Sequence, residues 1–320
     1  MLLRLAANYL SGSGASARLL ILMYHRVLAQ TDPLMPDNIN TEEFSVQMQL
    51  LEKRYRPFTL SEAIRRLSDH SLPSRSVVVT FDDGYRDNYD VALPILQRHS
   101  IPATFFVASG FLGGGRMWND SVIEAMRRVD AGVLDLTHLD LGCHTIFDDG
   151  DRVAVMRKLI GELKYHPMDT RQSQVNELVS VVGKPLPDNL MMNPDQVQIL
   201  SDVGMEIGGH TRLHPILSRI DLAQAEKEII AGRDYLQDII GSRISVFAYP
   251  NGRPGQDYQR EHMELLRLHG FDSAVSTSWG CVTGTSDRLQ LPRIAPWDRT
   301  RMKFNLRLLR AYRQPDADYV

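Results

Sequence analysis

The sequence predicts an α/β chain: a parallel (β/α) barrel of seven strands with a mainly helical insertion. Three observations carry that reading. Short apolar runs at 18–24, 77–81, 102–109, 204–209, 244–249, 271–276 and 289–294 are mostly β-rich and lack polar alternation, as strands buried on both faces do. Helical patterns lie between them, which implies a parallel sheet, and seven strands suggest closure. Titratable residues stand at the ends of several runs, where a parallel barrel keeps its chemistry.

The elements follow in order. Leu19-Leu20-Ile21-Leu22-Met23 reads as a buried strand that leads into Tyr24-His25. A helix over 41–54 starts after Asn40 and Thr41. Thr59-Leu60-Ser61-Glu62 has the spacing of a capping box and opens a helix over 60–69. The runs at 77–81 and 102–109 follow. About 90 residues then pass before the next run, through Gly113-Gly114-Gly115, Met117-Trp118-Asn119-Asp120 and mixed helical and polar sequence. This stretch, about 110–195, reads as an insertion over the barrel mouth. Asn193-Pro194 opens a helix that closes at Gly204, with Pro inside the start and Gly past the end. Helices over 221–240 and 258–269 close at Gly241 and Gly270. The tail from Arg299 is basic and ends in a helix. The expected organisation is an N-terminal segment 1–17, a barrel domain 18–298 and a tail 299–320.

Composition narrows the class. The 320 residues are 43% hydrophobic and 23% charged, ordinary for a soluble globular chain. A net charge of -3, with no aromatic–basic stripe, argues against nucleic acid as a partner. Cys143 and Cys281 are far apart and read as two thiols, not a disulfide framework. No stretch reaches the length of a membrane span, and Arg4 and Asn8 break the first ten residues as a signal sequence. A cytoplasmic location is the expectation. Residues 1–10 also read as an amphipathic helix able to make weak contact with a membrane or partner.

The chemistry concentrates at two strand ends. Val77-Val78-Val79 leads into Thr80-Phe81-Asp82-Asp83-Gly84, and Met205-Glu206-Ile207-Gly208-Gly209 into His210-Thr211-Arg212-Leu213-His214. Together they supply an Asp/His/His ligand set and one spare carboxylate. Such a set binds a divalent metal and leaves positions open for water and substrate, and a free carboxylate beside it suits metal-assisted hydrolysis. Each half alone is a weak motif: Asp starts many turns, and two surface histidines at HxxxH spacing are common. Convergence strengthens them, since His25, Tyr249-Pro250-Asn251-Gly252 and Arg293 end other runs.

These residues resemble the polysaccharide deacetylases (carbohydrate esterase family four, or NodB homology). The first two motifs are those just quoted, and Phe247-Ala248-Tyr249-Pro250-Asn251-Gly252 resembles the third. The resemblance spans roughly residues 18 to 296. It implies a distorted seven-stranded β/α barrel, a zinc or similar divalent ion, and removal of N- or O-acetyl groups from sugars. Carried over by motif, Asp83, His210 and His214 bind the metal and Asp82 is the general base. A backbone N–H, that of Tyr249, helps hold the oxyanion. Asp/His/His also suits Co2+, Ni2+ or Fe2+.

Two departures stand out. Ala248 occupies the position where the family carries the arginine that orients the base, and no histidine follows His269, so the C-terminal Leu-x-His motif is missing. Ile21-Leu22-Met23-Tyr24-His25-Arg26 resembles the N-terminal histidine segment of poly-N-acetylglucosamine deacetylases, which makes His25 the candidate acid. Leu291-Pro292-Arg293 offers an arginine from the last strand. Trp118 and Trp279 are either core residues or platforms for a sugar face. His99, His138, His144, His166, His262 and His269 lack motif context and read as solvated. The expected partner is an N-acetylated glycan. The alternatives are a hydrolase of a small amide, such as a cyclic imide or ureide, and an inactive carbohydrate-binding relative.

Overall fold

The computed structural model describes residues 2–314 and 319–320. Seven strands form one parallel path in chain order: β1 (Leu20–Tyr24), β2 (Ser76–Phe81), β3 (Ala103–Val107), β4 (Glu206–Gly209), β5 (Val246–Ala248), β6 (Ser273–Trp279) and β7 (Leu291–Arg293). The path closes on itself. Ile294, just past β7, bridges Leu22 in parallel, donating to the Ile21 carbonyl at 2.8 Å and accepting from the Met23 amide at 2.9 Å. A short strand, Arg56–Phe58, pairs with the start of β2. Each of the seven expected runs is a barrel strand, and the fold is the distorted β/α barrel anticipated.

Helices surround and plug it: α1 (Leu2–Ser11), α2 (Thr41–Arg54), α3 (Leu60–Ser68), α4 (Leu93–Arg98), α5 (Trp118–Arg128), α6 (Asp149–Leu163), α7 (Met168–Val182), α8 (Pro194–Asp202), α9 (Leu222–Ile240), α10 (Arg260–Leu268) and α11 (Arg301–Ala311). Strand alternation sorts the apolar residues into two layers. Leu20, Leu22, Val77, Val79 and Phe105 pack with Phe44 and Met48 of α2. Ile21, Val78, Phe106, Val246, Val275 and Leu291 pack with Leu60, Ile64 and Leu67 of α3, which closes the amino-terminal end of the barrel. Counting in twos along that second layer leads from Ile21 to His25, from Val78 to Asp82 and from Leu291 to Arg293. The inward face of the strands therefore delivers the polar residues to one mouth.

The start of α3 differs from expectation. Thr59 makes no side-chain cap, and Glu62 pairs with Arg66 at 2.8 Å instead. The Glu206 carboxylate takes over, accepting from the Leu60 amide at 2.9 Å and from the Thr104 hydroxyl at 2.6 Å. It sits at a helix N-terminus, where a negative charge is favourable.

The segment between β3 and β4 has a core of its own, including Val122, Met126, Leu136, Ile146, Leu159 and Leu178. It is mainly helical, as expected, but also contains an antiparallel hairpin, Gly132–Leu136 with Gly142–Ile146, whose alternating burial follows a period of two. Among the described residues no helix is long and apolar enough to cross a membrane. In α1 the expected amphipathic face includes exposed Leu5 and Tyr9, while the side chains of residues 1–4 lie outside the described residues. Cys143 and Cys281 form no disulfide.

Candidate active site

Asp82 follows β2 directly, and its amide donates to the Tyr24 carbonyl at 2.9 Å, continuing the β1–β2 ladder by one bond. Its carboxylate meets Arg293 in a two-pronged ion pair, both N–H···O distances being 2.7 Å. Arg293 is fully buried and is held in turn by the Ser276 carbonyl, 2.9 Å from Nε. Burial pushes the Asp82 carboxyl up, but the charge and hydrogen bonds of Arg293, with His210 and His25, outweigh it and hold the group below its ordinary value. His25 Nε2 lies 3.9 Å from Asp82 Oδ2, the oxygen that also accepts from Arg293 Nη2, on a side chain that is 46% exposed. One carboxylate thus has both a buried, fixed cation and a solvent-accessible imidazole beside it.

Asp83 is turned away from that pair by a backbone in the left-handed region, with φ of 76°. Its Oδ1 lies 3.4 Å from His210 Nε2 and 3.4 Å from His214 Nε2, and the two imidazole nitrogens are 3.1 Å apart. His210 Nδ1 donates to the Ala248 carbonyl at 2.7 Å, so its Nε2 is left as a bare acceptor in the neutral ring. Burial, then the neighbouring charge of His210, pushes His214 down to about 3 and keeps that ring neutral, whereas at His210 burial is outweighed by the hydrogen bond to Asp83 and the charges of Asp82 and Asp83, which raise it above its ordinary value. Burial raises the Asp83 carboxyl, but the imidazoles of His210 and His214 and the nearby His25 hold it well below its ordinary value. Three acceptors converge within 4.8 Å, and Asp83 Oδ1 is buried without a hydrogen-bond partner among the described residues. An orphaned buried acceptor facing two bare imidazole nitrogens fits a cation, and N/N/O ligation suits zinc and its neighbours.

The loop that carries His214 is not helical, despite the HxxxH spacing. Thr211 and His214 both have left-handed backbones, with φ of 62° and 55°. The His214 amide donates to Thr211 Oγ1 at 3.0 Å, and the Arg212 and Leu213 amides both donate to Glu228 of α9. Gly232 on α9 lets this loop lie directly on the helix, since a Cβ there would stand 2.6 Å from the Thr211 carbonyl carbon. Arg212 and Leu213 then form one wall of a groove of about 480 Å³ whose other side includes Pro167–Asp169.

Several residues beside the site carry no expectation from sequence. Asn88 Nδ2 donates to the His25 carbonyl at 2.8 Å, and Asp87 accepts from Arg26 Nε at 2.8 Å and from the Val27 amide at 3.1 Å. Arg26 lies over the Tyr85 ring, and the Tyr85 hydroxyl donates to Asp120 Oδ1 at 3.0 Å. The segment Tyr85-Arg86-Asp87-Asn88, continuous with the first motif, thus clamps the chain around His25. Its adjacency to Asp82-Asp83-Gly84 was the available signal.

Tyr249 requires a correction. Its N–H shares a peptide plane with the Ala248 carbonyl that receives His210, and in a planar trans peptide these two groups point in opposite directions. The Tyr249 amide accordingly donates to the Val275 carbonyl at 3.3 Å, away from His210. Its ring is buried, stacked on Tyr258, with the hydroxyl donating to Leu289. Pro250 has no amide, so the next N–H along this strand end is that of Asn251, whose backbone is left-handed at φ 62°. Other expectations also change. His99, His144 and His262 are buried, with His99 against Glu52 at 2.7 Å and His144 on the Leu141 carbonyl at 2.7 Å. Trp118 packs on the core between β3 and β4 with Arg171 over its ring, whereas Trp279, at the end of β6, is 37% exposed.

A family model described as polysaccharide deacetylase matches residues 69–274, well over half of the chain. The chain belongs to the polysaccharide deacetylase family. The chain is 29% identical over 160 residues to YxkH of Bacillus subtilis, a span of 48% of this chain and 55% of that one. It is 32% identical over 118 residues to the poly-beta-1,6-N-acetyl-D-glucosamine N-deacetylase of Staphylococcus epidermidis, covering 33% of this chain and 41% of the other. The chain thus spans about half the length of these curated relatives. Among solved structures, Streptococcus pyogenes deacetylase PplD, in complex with acetate, superposes with a TM-score of 0.61 at 22% identity, covering 93% of this chain and 99% of that one. IcaB from Ammonifex degensii gives 0.56 at 20% identity, over 92% and 98%. These two likenesses establish a shared barrel fold. Within that fold, this chain brings its buried arginine to Asp82 from β7, with Ala248 at the position of the third motif's arginine.

Proposed function

We propose that this chain hydrolyses the acetamido group of N-acetylated sugars in a polysaccharide or glycan precursor, with a divalent cation held by Asp83, His210 and His214. The observation that carries the reading is the division of labour between adjacent aspartates. Asp83 faces the two imidazoles, while Asp82 is ion-paired to Arg293 with His25 close by. A bound zinc ion, or Co2+, Ni2+ or Fe2+ in its place, supplies polarisation of the acetyl carbonyl and a lowered pKa for water.

The protein groups perform the rest. Asp82 takes the proton of the attacking water. Arg293 fixes the orientation of that carboxylate and keeps it ionised at neutral pH. His25, half exposed at the mouth, gives a proton to the departing amine, which is a poor leaving group otherwise. Negative charge developing on the acetyl oxygen needs a backbone donor, and the Asn251 amide is the first available one beyond Tyr249. The domain reading accompanies this: a barrel of 18–298 carrying the 110–195 insertion, flanked by 1–17 and 299–320.

A substrate panel tests the proposal. Free amine and acetate should appear from N-acetylated oligosaccharides and not from cyclic imides or ureides. Turnover of the imides with no acetate from any sugar would replace the glycan with a small amide.

A further inference from the structure

A second groove, of about 590 Å³, lies between the end of β6 and α11. Trp279 and Asp298 form one part of it, Lys303, Leu306, Arg307 and Arg310 line the helical side, and Arg313 follows just past the helix end. The spacing of Lys303, Leu306, Arg307 and Arg310 is that of a single helix face, while Phe304, Leu308 and Ala311 occupy the opposite, buried face. Arg307 is neutralised by Asp298. Among the described residues, Lys303, Arg310 and Arg313 have no salt-bridge partner. A chain of net charge -3 thus concentrates, around an aromatic side chain, three cations without a salt-bridge partner among the described residues. Helix packing requires none of them there.

The position is informative. Trp279 stands opposite Arg293 in the β6–β7 ladder, and Arg293 holds Asp82. The groove is therefore one strand from the residue that orients the candidate base. Cations arranged along a groove with an aromatic wall recognise a multiply charged oxyanion attached to a ring. We propose that this groove binds the phosphate of a phosphorylated N-acetyl sugar, with the sugar face on Trp279, so that the natural glycan substrate is phosphate-bearing. The sugar part rests on the deacetylase reading, and the preference for phosphate rests on the groove alone.

Calorimetric titration of the full chain with N-acetylglucosamine 1-phosphate, N-acetylglucosamine and inorganic phosphate reads this directly. The sugar phosphate should bind, more tightly than inorganic phosphate, and weaken with added salt. Lys303→Glu/Arg310→Glu should reduce its affinity by about tenfold or more. The milder Lys303→Gln/Arg310→Gln pair should fall between, and Trp279→Ala should erase the preference for the sugar phosphate over inorganic phosphate. Equal binding of the neutral and phosphorylated sugars, or unchanged affinity in the charge-reversed chain, would overturn the assignment. So would binding to phosphatidylglycerol vesicles without binding to the sugar phosphate, since the face would then be a lipid surface. Acetate release from N-acetylglucosamine 1-phosphate and from neutral N,N'-diacetylchitobiose is a separate readout: release from neither in the wild-type chain would remove the deacetylase reading and leave the phosphate result standing.

Discussion

Arg293 grips both oxygens of Asp82 at 2.7 Å from the last barrel strand, across 211 residues of sequence. The guanidinium fork matches the carboxylate in geometry as well as charge, which an ammonium cannot do. Arg293→Lys should therefore keep the fold and lower turnover by about a hundredfold through a misplaced base. Arg293→Ala leaves Asp82 buried and unpaired and should destabilise the chain by about 3–5 kcal/mol. Near wild-type turnover in the lysine variant would remove the orienting role.

The two aspartates should separate cleanly in their effects. Asp82→Asn should retain metal while turnover falls by roughly two to four orders of magnitude. His214→Ala should lose most metal affinity, because a three-ligand site has none to spare. Elemental analysis of both purified variants decides it: full occupancy in His214→Ala, or loss in Asp82→Asn, would exchange or dismantle the assigned roles.

His25 predicts a leaving-group effect. His25→Ala should slow N-acetyl substrates by roughly two to four orders of magnitude and spare an activated acetate ester, whose leaving group departs without a proton. Parallel measurements on the two substrates suffice. Equal losses on both would assign His25 to binding or folding, a reading its clamp by Asn88 also permits.

Asp120 predicts a pH dependence of stability. Burial, partly offset by the Met117 amide and by the charge of Arg26, raises its carboxyl from an ordinary 3.8 to about 6. The folded value is the higher one, so its stabilising contribution is complete below 3.8 and is lost as pH rises through about 6. The loss amounts to about 3 kcal/mol. Denaturation at pH 4 and 7.5 should show Asp120→Asn gaining on the wild-type chain as pH rises. A constant difference would show that Asp120 has the same pKa in the folded and the unfolded chain.

Much of the site was legible in the sequence because strands buried on both faces leave continuous apolar runs, and the polar residue that ends such a run stands out. His25, Asp82, His210 and Arg293 were found that way. Partners supplied from far along the chain were not. Glu206 takes the place of the expected capping box at Thr59, accepting from the Leu60 amide 146 residues away, and local spacing carries no trace of it. Burial of His99 depends on Glu52, on a different helix. The Tyr249 amide failed for another reason: the motif fixes which residue follows the strand, whereas the direction of its N–H depends on which neighbour its peptide already bonds. The hairpin at 132–146 was hidden because its runs are short and embedded between helices.

The central claim is that a cation on Asp83, His210 and His214 is required for hydrolysis of an N-acetyl sugar. Acetate release from an N-acetylated oligosaccharide, followed before chelation, after chelation and after return of zinc, tests it most directly. Activity should vanish with the chelator and return with the metal. Acetate release that persists undiminished in the fully stripped chain would contradict the account.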